Sequence, residues 1–201
     1  MQISEFYDSV AAYWDDDFSE TKAARIVAAT VSIPRGGACV LDIGCGNGSM
    51  FQDLFEAGAC EIEGVDISRG MAEAAREKFS LDPRIHIEHC DFLDFAAPGF
   101  DVLMAFNCYH HFLLPRPFLQ KACDLLHPKG RLTVAFPYHR EHMNTLSAIM
   151  PPGIARGLLP AEEEAAFWRE FFEIDCICDN EGLYLISGTV KERKGSHEEE
   201  L

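Results

Sequence analysis

The chain has 201 residues, 48% hydrophobic and 25% charged, the make-up of an ordinary globular protein of one domain. Its 17 basic and 33 acidic residues leave a net charge of −16, which repels phosphate backbones and argues against DNA or RNA as a partner. No apolar run is long enough to cross a bilayer, and Met1-Gln-Ile-Ser-Glu5 has no basic or apolar leader region, so the expectation is a cytoplasmic protein without a membrane partner.

Residues 4–17 read as an amphipathic helix, with Phe6, Val10, Tyr13 and Trp14 on one side. A second helix is expected over 19–31, stopped by Pro34 and Gly36-Gly37. Then come strand 39–43, helix 49–57 with Ser49 as its N-cap, strand 61–66, helix 69–79 and strand 85–90. Strand 101–106, helix 116–126 and strand 131–136 follow. Such alternation predicts an α/β fold, a parallel sheet covered by helices on both faces.

Residues 137–170 are not dictated by that alternation; helices are expected over 143–150 and 162–172, around Pro151-Pro-Gly153. In open α/β sheets ligands sit beyond the carboxyl ends of the strands, where this insertion begins, so it is assigned to the wall or lid of a substrate pocket. The alternative is a packing helix without substrate contact. Two further strand-like runs, 171–178 and 183–190, flank Asp179-Asn-Glu-Gly182. The domain is read as 1–190, with N-terminal helices in 1–31 and a charged tail, 191–201.

Residues 40–49, Val-Leu-Asp-Ile-Gly-Cys-Gly-Asn-Gly-Ser, run from a short apolar strand into three alternate glycines. Gly44, Gly46 and Gly48 let backbone approach a ligand closely. A phosphate-cradling loop would end in Gly-Lys-Ser/Thr, which is absent. A dinucleotide fingerprint would place its third glycine at 49, where Ser stands. The carboxylate of Asp42 beside the turn suits a cationic ligand better than a pyrophosphate, and S-adenosylmethionine carries a sulfonium and no phosphate. Asp66, at the tip of the second strand and 24 positions after Asp42, is placed to accept ribose hydroxyls, a device NAD enzymes share. Met71, just inside a helix starting at Ser68, would lie beside the base. Asp91-Phe92 offers an acceptor for an exocyclic amine next to an apolar wall.

The segments Val40-Leu-Asp-Ile-Gly-Cys-Gly-Asn-Gly48, Gly64-Val-Asp-Ile-Ser-Arg-Gly-Met71, Cys90-Asp-Phe92, Phe100-Asp-Val-Leu-Met-Ala-Phe-Asn107 and Leu126-His-Pro-Lys-Gly-Arg-Leu132 resemble, in order and spacing, the class I S-adenosylmethionine-dependent methyltransferases. The similarity spans 40–132 and is to the small single-domain members that act on metabolites. It implies a Rossmann-like, mostly parallel seven-stranded sheet closed by an antiparallel final hairpin. It also implies a donor, S-adenosyl-L-methionine (leaving as S-adenosyl-L-homocysteine), held by Asp42, Gly44, Cys45, Gly46, Asn47, Gly48, Asp66, Ile67, Met71, Asp91, Phe92 and Asn107. Such enzymes often open with a segment like Tyr7-Asp8…Tyr13-Trp14, so Tyr7, Tyr13 or Trp14 would cover the donor. An NAD-dependent oxidoreductase and a non-catalytic S-adenosylmethionine-binding protein are the alternatives.

Methyl transfer needs positioning first and a base only where the acceptor must lose a proton. His110 and His111 follow the fourth strand at the edge where the methyl should lie, and are the candidate catalytic residues. His139 and His142 follow the fifth strand; His86, His89 and His127 are read as structural. A metal cluster of Cys108, His110, His111, His139 and His142 is a weaker reading, since His139-x-x-His142 is one residue short of the helical zinc spacing. Asn107-Cys-Tyr-His110 lacks the two prolines that base-methylating enzymes carry there. The eight cysteines are scattered, and Cys45 is read as loop backbone rather than a nucleophile. Arg116, Arg140 and Arg156 are candidates to meet a substrate carboxylate. The acceptor itself and the oligomeric state are not legible.

Overall fold

The middle strands are apolar almost throughout, which is what a strand buried on both faces requires. These are β1 (Ala38–Ile43), β4 (Phe100–Phe106) and the carboxyl half of β5 (Leu126–Phe136). A computed structural model describes residues 2–14, 19–33, 37–97 and 99–192. With β2 (Ala59–Asp66), β3 (Ile85–His89), β6 (Phe172–Asn180) and β7 (Leu183–Val190), they form one seven-stranded sheet of order β3-β2-β1-β4-β5-β7-β6. The β1–β2, β1–β4, β2–β3 and β4–β5 pairs are parallel. β7 runs antiparallel between β5 and β6. The two edge strands, β3 and β6, carry the mixed polar sequences that an edge tolerates.

The helices are α1 (Ile3–Val10), α2 (Lys22–Ser32), α3 (Phe51–Ala57), α4 (Arg69–Lys78), α5 (Pro115–Leu125), α6 (Arg140–Ile149) and α7 (Ala161–Trp168). One core gathers Ala24, Ala28, Phe51 and Leu54 of α2 and α3 against the sheet. The other gathers Phe118 and Leu119 of α5 with Ala165 and Trp168 of α7. The buried Arg25–Asp53 pair, 2.6 Å apart, fastens α2 to α3. Among the described residues no helix is long and apolar enough to cross a membrane.

Several boundaries differ from expectation. The first helix stops at Val10 and passes into a 3-10 turn, Ala11–Tyr13; running to 17 it would carry Asp15, Asp16 and Asp17 at its negative end. Residues 15–18, and the expected stop at Pro34 and Gly36, lie outside the described residues. Ser49 does not cap α3. The turns Gly48 N–H to Cys45 O (2.9 Å) and Phe51 N–H to Gly48 O (3.2 Å) carry the bend on to Met50, the N-cap. α6 begins at Arg140, three residues before the sequence expectation, because the His139 ring caps it by accepting from His142 N–H (3.3 Å).

Candidate functional site

The glycine bend leaves β1 at Ile43. Gly44 has φ of +64°, and a Cβ there would sit 2.7 Å from the Cβ of Cys108, so the exit of β4 can cross it only if residue 44 is glycine. Gly46 has φ of +56°, but a Cβ there would meet nothing within 4 Å, so its backbone borders open space. Gly48 serves packing instead: a Cβ would strike the Phe79 ring at 2.5 Å, and the residue is absent from the cavity wall, contrary to its expected role.

Asp66 organises the bend from the next strand. Its Oδ2 accepts from Gly46 N–H (2.8 Å) and its Oδ1 from Ser68 N–H (2.8 Å), leaving lone pairs for a further donor. Burial pushes its carboxyl upward, opposed by those two N–H groups. Asp42 is 2% exposed behind the bend rather than on the cavity wall, and its Oδ2 has no hydrogen-bond partner among the described residues. Burial and then the neighbouring Asp66 drive the Asp42 carboxyl well above the usual range. Cys45 lines the cavity, yet burial and the nearby carboxylates hold its thiol far above the range of a reactive cysteine.

Ser68 caps α4, accepting from Met71 N–H (3.2 Å), and thereby sets the buried Met71 against the cavity beside Ile67. After β3, Asp91 turns the chain by accepting from Leu93 N–H (2.9 Å), and Phe92 packs edge-on against Phe112 (5.7 Å). Asn107 leaves β4 with φ of +57°, a conformation asparagine tolerates better than most residues. Cys108 donates its thiol proton to Ile43 O (2.9 Å).

The two histidines then part company. His111 lies on the cavity wall, with Nδ1 2.9 Å from Ile154 O and Nε2 2.7 Å from the Tyr7 hydroxyl. A carbonyl oxygen only accepts, so Nδ1 carries the proton, and burial keeps the ring neutral by lowering its pKa. Nε2 is therefore the acceptor, and Tyr7 O–H donates to it. His110 does not reach the cavity. It is 2% exposed, packed on Phe136 (5.3 Å), without a hydrogen-bond partner for Nδ1 among the described residues, and burial drives its pKa down to about 2. The His110 and His111 rings pack on each other (centroids 3.9 Å apart) in the 3-10 turn Tyr109–His111, and of the two His111 is the one on the cavity wall.

These residues surround one cavity of about 670 Å3 at the carboxyl edge of the parallel strands. Gly44, Cys45, Gly46, Asn47, Asp66, Ile67, Met71, Asp91, Phe92, Asn107 and His111 line it, together with Tyr7, Trp14, Ser49 and Tyr138. Tyr13 does not: it is 88% exposed, because the 3-10 turn after α1 points it outward while Tyr7, six residues earlier in α1, faces in. Sequence reasoning offered Tyr7 only as a cover; its pairing with a histidine 104 residues away carries no local signal. Asp8, beside it, clasps α4, accepting from Ser68 Oγ (2.6 Å) and Gly70 N–H (2.9 Å).

The arginines considered for a substrate carboxylate are committed elsewhere. Arg156 forms two bonds to the fully buried Glu164 (2.7 and 3.0 Å), Arg116 pairs with Glu170, and Arg140 lies 3.7 Å from Asp179. His86, His89 and His127 sit near Glu61, Ile67 O and Asp101. Among the described residues no group of three or more His, Cys, Asp or Glu is placed to hold a metal.

The profile of a family described as "Methyltransferase domain" matches residues 40–130, the span that carries these loops. The 27-O-demethylrifamycin SV methyltransferase of Amycolatopsis mediterranei is 30% identical over 132 residues, 61% of this chain and 48% of that protein. The ubiquinone biosynthesis O-methyltransferase of Ralstonia nicotianae is 24% identical over 169 residues, 79% of this chain and 70% of that one. The chain spans about half the length of the first curated relatives it matches. The N-methyltransferase NodS of Bradyrhizobium japonicum, solved with S-adenosyl-L-homocysteine, shares the fold at a TM-score of 0.70 and 16% identity, over 96% of this chain and 100% of NodS. Residues 40–130 thus match a methyltransferase domain, and in strand order and glycine bend the chain is similar to the class I S-adenosylmethionine-dependent methyltransferases.

Proposed function

We propose that this protein transfers the methyl group of S-adenosylmethionine to a small-molecule acceptor bound at the carboxyl edge of the sheet. One observation carries the reading: the glycine bend with Asp66 and the Tyr7–His111 pair open onto a single cavity. The residues present fit the donor. Gly46 leaves open space above its backbone, and Asp66 keeps lone pairs for ribose hydroxyls. Met71 and Phe92 supply apolar surface for the base, Asp91 an acceptor, and Asn47 and Asn107 polar contacts for the amino-acid end.

When bound, S-adenosylmethionine supplies a methyl group whose bond to a sulfonium sulfur breaks as the bond to the acceptor forms, the sulfur keeping the electron pair. The chain's own share is positioning and proton handling. Tyr7 O–H donates to His111 Nε2, so the Tyr7 oxygen is free to accept from an acceptor's hydroxyl. As that proton arrives, Tyr7 passes its own to Nε2, and Ile154 O, fixed on Nδ1–H, holds the ring in orientation. Burial keeps the Tyr7 phenol itself protonated at rest, so the pair acts as a relay ending on histidine.

The O-methyltransferase names of two relatives and the acidic charge support a small-molecule acceptor over nucleic acid. Pro137 and Tyr138 on the cavity wall, and Ile154 behind His111, support assigning 137–170 to the acceptor side. The test is calorimetry with S-adenosylhomocysteine and with NAD, followed by incubation with labelled donor and a metabolite extract. Binding of the adenosyl ligand alone, and label in a small metabolite, are expected. Binding of NAD alone, or label confined to nucleic acid, would contradict the proposal.

A further inference from the structure

We infer that the acceptor is an uncharged phenol or enol, carrying an apolar substituent long enough to reach the cavity mouth. The inference rests on the reading above and names the substrate class of the same site.

The sheet order divides the cavity. The turns after β1, β2 and β3 supply the donor half, so the acceptor lies against the exits of β4 and β5 and under α1. That half is walled by Phe106, Phe112, Leu114, Pro117 and Pro137, and besides Asn107 and Cys108 at the exit of β4 its polar side chains are Tyr7, His111 and Tyr138. Among the described residues no lysine or arginine lines any part of the cavity. The nearest candidate, Arg156, bonds to Glu164 and to Phe112 O behind the wall. A carboxylate or phosphate would lose its water there and find no counter-charge, which is costly.

A cationic acceptor fares no better. The charged residues on the wall are Glu20, Asp66 and Asp91. Asp66 and Asp91 belong to the donor half and already accept from backbone N–H groups, while Glu20 is exposed to water. Among the described residues no other carboxylate lines the cavity. An uncharged group is the one that can enter it without an unpaired charge.

The base selects among hydroxyls. The relay ends on an imidazole whose Nδ1 is held by the neutral Ile154 carbonyl rather than by a carboxylate, so its protonated form gains no counter-charge, and burial makes it a weaker base still. It matches a hydroxyl as acidic as a phenol, with a pKa of about 10, far better than an alkyl alcohol. Finally, Trp14, Leu113 and Leu114 are 39, 46 and 71% exposed, and all three line this same cavity. Exposed apolar side chains gathered at one mouth mark a binding surface, here for the part of the acceptor that extends outward.

The test uses the protein loaded with S-adenosylhomocysteine and four phenols of matched skeleton: 4-propylphenol, 3-(4-hydroxyphenyl)propanoate, tyramine and 4-octylphenol. Calorimetry should give 4-propylphenol at least tenfold tighter binding than the anionic or the cationic analogue, and 4-octylphenol tighter still. Leu114→Arg should narrow the gap between 4-propylphenol and the propanoate at least threefold. A charged analogue binding as tightly as 4-propylphenol, octyl and propyl binding alike, or no phenol binding the loaded protein would overturn the inference. Failure of S-adenosylhomocysteine to load would instead sink the methyltransferase reading beneath it.

Discussion

The Tyr7 hydroxyl stands 2.7 Å from Nε2 of His111, joining the first helix to the turn after the fourth strand across 104 residues of sequence. Because Ile154 O fixes the opposite ring nitrogen as the donor, the direction of this bond is set: tyrosine gives, histidine accepts. Tyr7→Phe and His111→Gln should each lower kcat roughly 100-fold or more while S-adenosylhomocysteine affinity changes only a few fold. The sign of the pH effect follows from burial, which lowers the His111 pKa. The neutral ring is favoured in the folded protein, so the pair persists above the ordinary histidine range and fails as pH falls through the lower folded value. A kcat profile whose acid limb lies below about 6.5 is expected; His111→Gln should abolish that limb.

Asp8 should govern how the donor enters and leaves. Its Oδ1 holds Ser68 and Gly70 at the start of α4, beside Met71, so α1 closes over the cavity through polar contacts; the helix itself has no buried residue. Asp8→Ala is expected to speed S-adenosylhomocysteine release at least several fold in stopped-flow measurements, with a smaller change in kcat. The Ser68 and Gly70 bonds depress the Asp8 pKa. The clasp is therefore fully formed above the undocked carboxylate value, about 4, and is lost as pH falls through the docked one. Release by the parent protein should quicken on acidification in that window, and by Asp8→Ala should not.

Gly44 and Gly46 have similar backbone angles and different surroundings, which makes them a matched pair. Gly44→Ala puts a Cβ 2.7 Å from Cys108 Cβ, and should lose about 2–4 kcal/mol of stability from overpacking added to the left-handed backbone cost. Gly46→Ala meets no atom within 4 Å and should lose only the backbone share, roughly 1–2 kcal/mol, while donor affinity falls at least tenfold. Urea titrations and calorimetry on both variants separate the two effects.

Glu164 is fully buried, bonded to Arg156 and to the Tyr109 hydroxyl (2.8 Å), and Arg156 N–H donates to His110 O (2.9 Å). This pair thus presses the 154–156 segment onto the turn that carries His111. Glu164→Gln leaves a guanidinium without its counter-charge and should cost about 3 kcal/mol in urea unfolding. At a temperature where the variant stays folded, kcat should fall while donor affinity holds, since the donor half of the cavity is untouched.

The alternation of strands and helices up to β5 and the side-chain-free bend after β1 were legible because local pattern dictates them. A buried strand must be apolar, and a bend that admits a ligand must be free of side chains, as at Gly44 and Gly46. The acceptor side was legible only as a region. His110 and His111 are chemically identical neighbours, and which of the two reaches the cavity wall has no signature in two adjacent letters. Tyr7 and Tyr13 both suited a covering helix, and the helix ending at Val10 decided between them. Gly48 fits a ligand-binding motif by spacing, yet the Phe51 ring at the start of α3 and the Phe79 ring at the end of α4 pack against it.

The most direct test of the account is a crystal structure with S-adenosylhomocysteine bound. It should show the ribose on Asp66, the base between Met71 and Asp91-Phe92, and the sulfur facing the Tyr7 hydroxyl across the cavity. A ligand bound elsewhere, or a cavity that stays empty at saturating concentration, would contradict it.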